Sequence, residues 1–220
     1  DIKAILVIDV QRLSRGDLED AGKLIHAEDG NYSKVDYNRG GVPLIEIVSE
    51  PDMRSAEEAK VYLETLRTIL LYLGISDAKM QEGSIRADVN VSVRPVGAKE
   101  YGVRVETKNV SSFSGVYNAI VYEANRQIEV LENGGELFQE TRRWDDAAGK
   151  NVLMRSKEDA QDYRYFPEPD LLGYVIPEET VEKLKAELPE LPVQKTLRYM
   201  NECGLSRADA ETIALSKDKA

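Results

Sequence analysis

The chain has 220 residues, of which 42% are hydrophobic and 31% are charged, a composition that is ordinary for a globular protein and argues against disorder. The net charge of −11 argues against non-specific binding to nucleic acid, which needs a basic surface, but leaves room for a local basic path. A single cysteine excludes a disulfide framework and no apolar run approaches the ~20 residues that span a bilayer, so we expect a cytoplasmic protein without membrane contact.

The first predicted elements are two strands followed by a long helix. An apolar run bounded by charged residues predicts a buried strand at 2–10, and the stretch GVPLIEIVSEPD predicts a second strand at 41–52. Leucine and isoleucine then recur at helical spacing, which predicts a helix over 55–73. Ser55 and Glu58 occupy the positions of a capping box, which supports a helix start at this point.

The stretch GSIRADVNVSVRP, residues 83–95, alternates strictly between apolar and polar side chains. This period of two predicts a strand with one buried face, which we place at 84–94. VRVETKN alternates in the same way at 103–109, and the glycine-containing connection between the two runs predicts an antiparallel hairpin. One face of the hairpin is predicted to interleave carboxylates, cations and an amide, contributed by Arg86, Asp88, Asn90, Arg104, Glu106 and Lys108.

A second long helix precedes a second hairpin. The helix is predicted over 113–133, with a buried stripe that consists of Val116, Ile120, Ala124, Ile128 and Leu131. The stretch from Glu136 to Lys157 predicts a hairpin that is turned by DDAAGK. YRYFPEPD, at 163–170, is expected to be rigid and extended because each proline restricts the residue before it.

The pattern becomes wholly helical after Pro177. Three short helices are predicted, at 178–187, 192–203 and 206–216. We therefore place a domain boundary near 176, with an α+β domain over 1–176 and the start of an all-helical domain over 177–220. The expected fold class is α+β, in which an antiparallel-sheet cradle is followed by the helical domain.

The polar face of the first hairpin allows two interpretations. A solvated sheet face with cross-strand ion pairs is the simpler one, because alternating charge is common on protein surfaces. A functional site is the other, because aspartate and asparagine have low strand propensity and are unusual where only solubility is needed. Gln81 and Glu82 add an amide and a carboxylate at the entry to the strand, and such oxygen donors suit Mg²⁺ or Ca²⁺.

Six blocks of the sequence stand in the order and at the spacing of a known family. They are LEDAGKLIH, VDYNRGGVPLIEIVSEPDMRS, KMQEGSIRADVNVSVRP, VETKNVSSF, GGELFQETRRWDDAAGKNVLMRSKEDAQDYRYFPEPDL and ELPELP. From about residue 18 onward, the chain resembles the B subunit of the tRNA-dependent aspartyl/glutamyl amidotransferases. Six separate blocks with matching spacing make this resemblance specific.

The resemblance implies a function, partners and a fold. B subunits of this family bind the acceptor end of tRNAs that carry the wrong amino acid, Glu-tRNA(Gln) or Asp-tRNA(Asn). With ATP and Mg²⁺ they phosphorylate the side-chain carboxylate of that amino acid, and ammonia from the amidase A subunit then displaces the phosphate. A small C subunit completes the heterotrimer. The family's fold is an α+β cradle, a helical domain and a mobile helical tail domain.

The resemblance and the polar hairpin face together give the expected site residues. We expect Glu82, Asp88 and Glu106 to be catalytic and to line one acidic pocket, with Gln81 and Glu82 as the metal ligands. The cations that we expect to bind the cofactor are Lys23, Arg86, Lys108, Arg155 and Arg164.

Two departures from the family pattern bear on activity. Residues 1–17 match none of the family's blocks, so the family's metal-binding first strand, with its histidine, is expected to be missing, as is the tail domain. We therefore expect a fragment that is catalytically silent by itself. The alternatives are a truncated, non-catalytic module for tRNA binding or assembly in the same complex, and a structural partner whose charged sheet face is only solvated.

Overall fold

The computed structural model describes the backbone of residues 4–11, 23–26, 33–36, 45–156 and 173–217, and the side chains of 45–154 and 173–217. The described elements are β1 (Ala4–Gln11), β2 (Lys23–His26), β3 (Ser33–Asp36), α1 (Ala56–Leu73), β4 (Ala87–Pro95), β5 (Val105–Val110), α2 (Phe113–Glu132), β6 (Glu140–Asp145), β7 (Lys150–Ser156), α3 (Glu178–Ala186), α4 (Pro192–Cys203) and α5 (Arg207–Ala214). The five predicted helices are confirmed, each within two residues at either end. None of these helices has the length and hydropathy needed to cross a bilayer. The predicted extended segment at 163–170 lies outside the described residues.

Five strands form one mixed sheet in the order β1-β4-β5-β6-β7, and β2 and β3 form a separate pair. Both predicted hairpins are present, because β4 pairs antiparallel with β5 and β6 pairs antiparallel with β7. β5 and β6 are parallel, and α2 supplies the crossover connection that a parallel pair requires. The α+β class is therefore confirmed. The expected antiparallel sheet is found in three of the four strand pairs, and the pair of β5 with β6 makes the sheet mixed.

One face of the sheet is apolar and packs against α2, which contacts β4, β5 and β7. The side chains that bury this face are Val89, Val91, Val93 and Val105 from the strands and Val116 and Ile120 from the helix. Each is almost fully removed from water, and burying such a side chain contributes about 1.5–3 kcal/mol. Because side chains alternate along a strand, the residues between these valines lie on the opposite face of the sheet.

The buried stripe of α2 differs from the prediction in its second half. The half-buried residues there are Ala124, Ile128 and Leu131. Glu123 and Gln127 are the fully buried ones instead. Gln127 Nε2 donates to the Val91 carbonyl oxygen at 3.0 Å, and the Val93 N–H donates to Gln127 Oε1 at 3.1 Å. The carboxamide thus bonds to the backbone of β4 where its pairing with β5 ends, which hydrophobic spacing alone does not reveal.

The outcome differs for the two strands that were predicted near the N-terminus. The strand predicted at 2–10 is confirmed as β1, which pairs antiparallel with β4. The strand predicted at 41–52 is wrong over its described part, because residues 45–50 have no regular structure and a turn follows. Ile45 and Val48 are both more than half exposed, so the apolar residues of this stretch are not buried by a sheet.

The contacts within the chain divide it into two compact units, 1–60 with 80–156 and 61–79 with 157–220. The first unit holds the five-stranded sheet and α2. In the second, the Tyr72 hydroxyl donates to the Ala214 carbonyl oxygen at 2.7 Å, and Lys217 Nζ donates to the Tyr72 carbonyl oxygen at 2.8 Å. The second unit therefore includes part of α1, which the sequence placed in the first domain. A boundary near 176 stays a prediction.

Candidate active site

The polar face of β4 and β5 brings two carboxylates to one ammonium group. Lys108 Nζ lies 3.7 Å from Glu106 Oε1 and 3.9 Å from Asp88 Oδ2. Asn90 is paired with Glu106 in the register of the two strands, and a register shift lies between Ala87 and Val89, at Asp88. Asp88 and Glu106 therefore share one face of the sheet, as the alternating pattern predicted.

Glu106 is held in place from the next strand as well. Thr141 of β6 is its register partner, and the Thr141 hydroxyl donates to Glu106 Oε2 at 3.1 Å. One carboxylate oxygen thus faces Lys108 and the other accepts from Thr141. The Glu106 and Asp88 side chains are only 13% and 16% exposed, so both carboxylates are partly screened from bulk water. A partly buried carboxylate held from two sides is suited to orient a bound group.

A row of polar residues crosses the whole sheet at the register position of Glu106. The register pairs Asp9 with Asn90, Asn90 with Glu106, Glu106 with Thr141, and Thr141 with Arg155. Each of the five strands therefore contributes one polar residue to adjacent register positions. The sequence reasoning missed Asp9, because the strand at 2–10 was interpreted as buried, and it missed Thr141, because the pairing of β5 with β6 was not predicted.

The opposite face of the sheet also carries charges, but they are locked in short ion pairs. Arg126 Nη2 lies 2.6 Å from Glu123 Oε1, and Arg142 Nε lies 2.8 Å from Glu140 Oε2. Burial by itself lowers the pKa of Arg126, but its hydrogen bonds to Glu123 and the negative charges of Glu123 and Glu140 together hold that pKa above its ordinary value. Arg126 Nη2 also lies 3.7 Å from Glu140 Oε2, so this network ties α2 to β6 and serves the fold.

The ammonium on the polar face is held differently. Its distances of 3.7 and 3.9 Å to the two carboxylates exceed the usual range of 2.7–3.2 Å for a hydrogen bond. Lys108 therefore neutralises Asp88 and Glu106 without being fixed to either of them. A cation in this arrangement is able to turn toward an anionic oxygen of a ligand, and this difference favours the polar face as the site.

The structure brings together three of the predicted site residues, Asp88, Glu106 and Lys108. The other predicted residues of the described part lie on or next to the turn before β4, and they are exposed: Gln81, Glu82 and Arg86. Their membership in the site stays a prediction.

The remaining predicted cations are Lys23, Arg155 and Arg164, and the structure does not describe their side chains. Lys23 begins β2 and Arg155 lies in β7 opposite Thr141, but their side chains are outside the described residues. Arg164 is outside the described residues altogether.

A magnesium ion is the metal that the sequence led us to expect. Within 45–154 and 173–217, no three or more His, Cys, Asp or Glu side chains are grouped closely enough to hold a metal ion. Magnesium, however, is commonly held by one or two carboxylates together with phosphate oxygens of the substrate and water. Asp88 and Glu106 fit that smaller requirement. They do not form an all-protein metal cage.

The second compact unit contains a cavity of about 540 Å³ between α1, α4 and α5. Its walls are mostly apolar, with Leu197, Met200 and Leu215 among the lining residues. The charged residues in the wall are Glu64, Arg207 and Glu211, and Arg207 is paired with Glu211 at 2.7 Å. Nothing in this lining brings reactive groups together, so the polar sheet face remains the candidate site.

Residues 7–182 match the family model of the GatB/GatE catalytic domain. The chain belongs to this family. The match begins inside β1, so the expectation that 1–17 fall outside the family pattern is wrong from residue 7 onward. The polar row from Asp9 to Arg155 lies within the matched part, as does the sheet except for the first three residues of β1. β1 joins β4 in this sheet although it carries no histidine.

Several relatives are named as the B subunit of an aspartyl/glutamyl-tRNA(Asn/Gln) amidotransferase. The chain is 58% identical to the one from Symbiobacterium thermophilum over 214 residues, which are 95% of this chain and 44% of that protein. It is 59% identical to the one from Agathobacter rectalis over 202 residues, 92% of this chain and 42% of that protein. The chain therefore spans less than half the length of these relatives, and the predicted resemblance to this family is confirmed.

Proposed function

We propose that this GatB/GatE catalytic domain activates the side-chain carboxylate of an amino acid that is attached to the wrong tRNA. The substrates are Glu-tRNA(Gln) or Asp-tRNA(Asn), with ATP, and the product is the amidated aminoacyl-tRNA. The observation that supports this most is the partly buried pair of Asp88 and Glu106 around one loosely held ammonium, that of Lys108. The names of the relatives point to the same reaction.

The reaction needs two steps, because a carboxylate is a poor electrophile. In the first, an oxygen of the substrate carboxylate attacks the γ-phosphorus of ATP, and the bond from that phosphorus to ADP breaks. In the second, the nitrogen of ammonia attacks the carbonyl carbon of the acyl phosphate. The C–O bond to phosphate then breaks with its electron pair, and the nitrogen loses a proton. Phosphoryl transfer of this kind is promoted mainly by positioning and by neutralising negative charge.

The side chains on the polar face suit these two needs. Lys108 is proposed to neutralise an oxygen of the transferred phosphoryl group, because its ammonium is not within hydrogen-bond distance of Asp88 or Glu106. Asp88 and Glu106 are the carboxylates that would hold Mg²⁺, with Gln81 and Glu82 as further ligands from the preceding turn. Bound there, Mg²⁺ would draw electron density from the phosphate oxygens. Lys23, Arg86, Arg155 and Arg164 are proposed to bind phosphates of ATP or of the tRNA acceptor end.

The ammonia is proposed to come from another subunit. Cys203 is the only cysteine of the sequence and His26 its only histidine, and Cys203 lies exposed at the end of α4. The usual nucleophile and base of a glutamine-hydrolysing site therefore have no matching pair among the described side chains. We propose that the amidase A subunit supplies ammonia, that a small C subunit joins the complex in the cytoplasm, and that the chain alone is silent. A purely non-catalytic tRNA-binding module is not favoured, because the matching family model is a catalytic domain.

Isotope transfer provides the test of the first step. The chain, assembled in its amidotransferase complex, is given ATP, Mg²⁺, glutamine and Glu-tRNA(Gln) whose side-chain carboxylate is labelled with ¹⁸O. We expect one ¹⁸O atom in each inorganic phosphate released, because the attacking oxygen leaves with the phosphate. Correctly charged Gln-tRNA is the control and should give no labelled phosphate. Amide formation with unlabelled phosphate would show that the carboxylate is not phosphorylated.

A further inference from the structure

One buried donor on the polar face has no partner among the described residues. Asn90 is the second residue of the five-residue row, between Asp9 and Glu106, and is only 3% exposed, yet its Nδ2 atom makes no hydrogen bond within the described part of the chain. Buried amide groups in native proteins are nearly always paired, because an unpaired donor has lost its bonds to water and gained none. The unpaired Nδ2 of Asn90 within the candidate site therefore indicates that a bound group supplies its hydrogen-bond acceptor.

Asn90 has two carboxylates as register partners, Asp9 and Glu106, and the one whose side chain is described, Glu106, does not fill this role. Glu106 is the cross-strand partner of Asn90 in β5, but its two oxygens face Lys108 and the Thr141 hydroxyl. Asn90 Nδ2 is therefore left beside a carboxylate that is already held by other donors. The acceptor that it lacks is an oxygen from outside this set of side chains.

We propose that Asn90 is a substrate-binding residue whose Nδ2 donates a hydrogen bond to an anionic oxygen of the group bound on the polar face. This inference rests on the proposed function and adds one hydrogen-bond donor to the proposed site. A neutral amide adds a directed hydrogen bond without cancelling the charge of Asp88 or Glu106. The anionic oxygen belongs to the transferred phosphoryl group or to the carboxylate of the aminoacyl group, and an experiment distinguishes these two sources.

Kinetics of two variants in the assembled complex provide the first test. Asn90→Ala removes the donor, and Asn90→Asp keeps the shape but replaces the donor with a charged acceptor. If the oxygen is on the phosphoryl group in the transition state, kcat falls about 100-fold with little change in KM. If it is on the aminoacyl carboxylate of the ground state, KM for the misacylated tRNA rises instead. Asn90→Asp is expected to be at least as damaging as Asn90→Ala.

The matched control is Ser92→Ala, two residues along on the same face of β4 and equally buried, at 5% exposed. It is expected to leave kcat and KM unchanged. Urea unfolding of all three variants separates loss of fold from loss of binding. The proposal is overturned if both Asn90 variants keep kcat and KM, or if Ser92→Ala loses as much activity as Asn90→Ala at equal stability.

Nuclear magnetic resonance of the Asn90 side-chain amide identifies the source of the oxygen. The two probes are Mg²⁺ with the non-hydrolysable ATP analogue AMP-PNP, and 3′-glutamyl adenosine, which imitates the charged tRNA end. A downfield shift of the Nδ2 protons with one probe assigns the oxygen to that probe. Saturation by both probes without any shift overturns the proposal. Isotope transfer by the wild type separates this failure from a failure of the proposed function.

Discussion

Gln127 shows how one side chain completes a sheet. It is fully buried, it makes two hydrogen bonds to the backbone of β4, and its Nε2 also lies 2.9 Å from Glu123 Oε1. The two backbone groups belong to Val91, the last residue of β4 that is paired with β5, and to Val93 beyond it. This glutamine thus satisfies polar groups that would otherwise be buried without a bond.

Replacing Gln127 with alanine tests this role. Gln127→Ala leaves a buried C=O and a buried N–H unpaired and opens a cavity, so we expect a loss of about 2–5 kcal/mol in the free energy of unfolding. Urea denaturation measures it. Asn125→Ala, at an exposed position of the same helix, is the control and should cost far less. Equal losses in the two variants would mean that the backbone bonds of Gln127 contribute nothing specific.

The ion pair between Glu190 and Arg198 gives a pH-dependent prediction. Arg198 donates to both Glu190 oxygens, at 2.8–3.1 Å, and this bonding holds the pKa of Glu190 below its ordinary value. A carboxylate whose pKa is lowered by folding stabilises the fold above its unfolded pKa, about 4.3 for glutamate. That stability is lost as the pH falls through the lowered pKa.

Glu190→Gln should therefore reduce stability near neutral pH, and the difference from wild type should shrink as the pH falls below about 4.3. Thermal unfolding as a function of pH measures the difference. Glu202→Gln is the control, because Glu202 contacts the same Arg198 only at 4.0 Å. A Glu190→Gln effect that stays constant from neutral to acid pH would contradict the account.

At the scale of elements, the connection from β4 to β5 depends on a close backbone approach. A Cβ atom built on Gly102 would lie 2.0 Å from the Val93 carbonyl oxygen, which is backbone and unable to rotate away. The chain therefore passes β4 at a distance that only glycine permits. This approach places β5 so that Glu106 and Lys108 lie opposite Asn90 and Asp88.

Gly102→Ala is expected to destabilise the hairpin, by about 1–3 kcal/mol or more, because the clash is relieved only by moving the strands apart. Chemical denaturation measures the loss. Gly173→Ala is the matched control, since a Cβ atom there meets nothing within 4 Å and the backbone is not in the left-handed region. Unchanged stability of Gly102→Ala would show that the two strands tolerate a wider separation.

The sequence predicts those elements that are formed by local interactions. Helices and hairpins depend on local spacing, caps and turns, so α1, α2 and both hairpins are found close to their predicted positions. The parallel pairing of β5 with β6 depends on how α2 folds back over the sheet, which no local pattern specifies. The burial of Gln127 was missed for a related reason, since the backbone groups that it bonds lie on β4. Glu123 accepts from Arg126 and Gln127 of its own helix, and its burial depends on how α2 packs against the sheet.

At the scale of the whole molecule, the candidate site could be predicted in part. Asp88, Glu106 and Lys108 follow from alternation within one hairpin, where each residue's face is fixed by its position in the strand. Asp9 and Thr141 required two further strand pairings, that of β1 with β4 and that of β5 with β6. Thus the part of the site that lies within one hairpin was accessible from sequence, and the part that is assembled from separate strands was not.

The central claim is that the polar face of the sheet, and not the α2 face, performs the chemistry. Glu106 and Glu140 provide a matched pair, because they lie on adjacent strands and on opposite faces, and their side chains are 13% and 16% exposed. The measurement is the rate of ATP cleavage dependent on Glu-tRNA(Gln) in the assembled complex, for Glu106→Gln and Glu140→Gln at equal folded fraction. We predict that Glu106→Gln loses about 100-fold or more and that Glu140→Gln stays near the unmodified rate. Equal rates for the two variants, or a larger loss for Glu140→Gln, would contradict the assignment of the site.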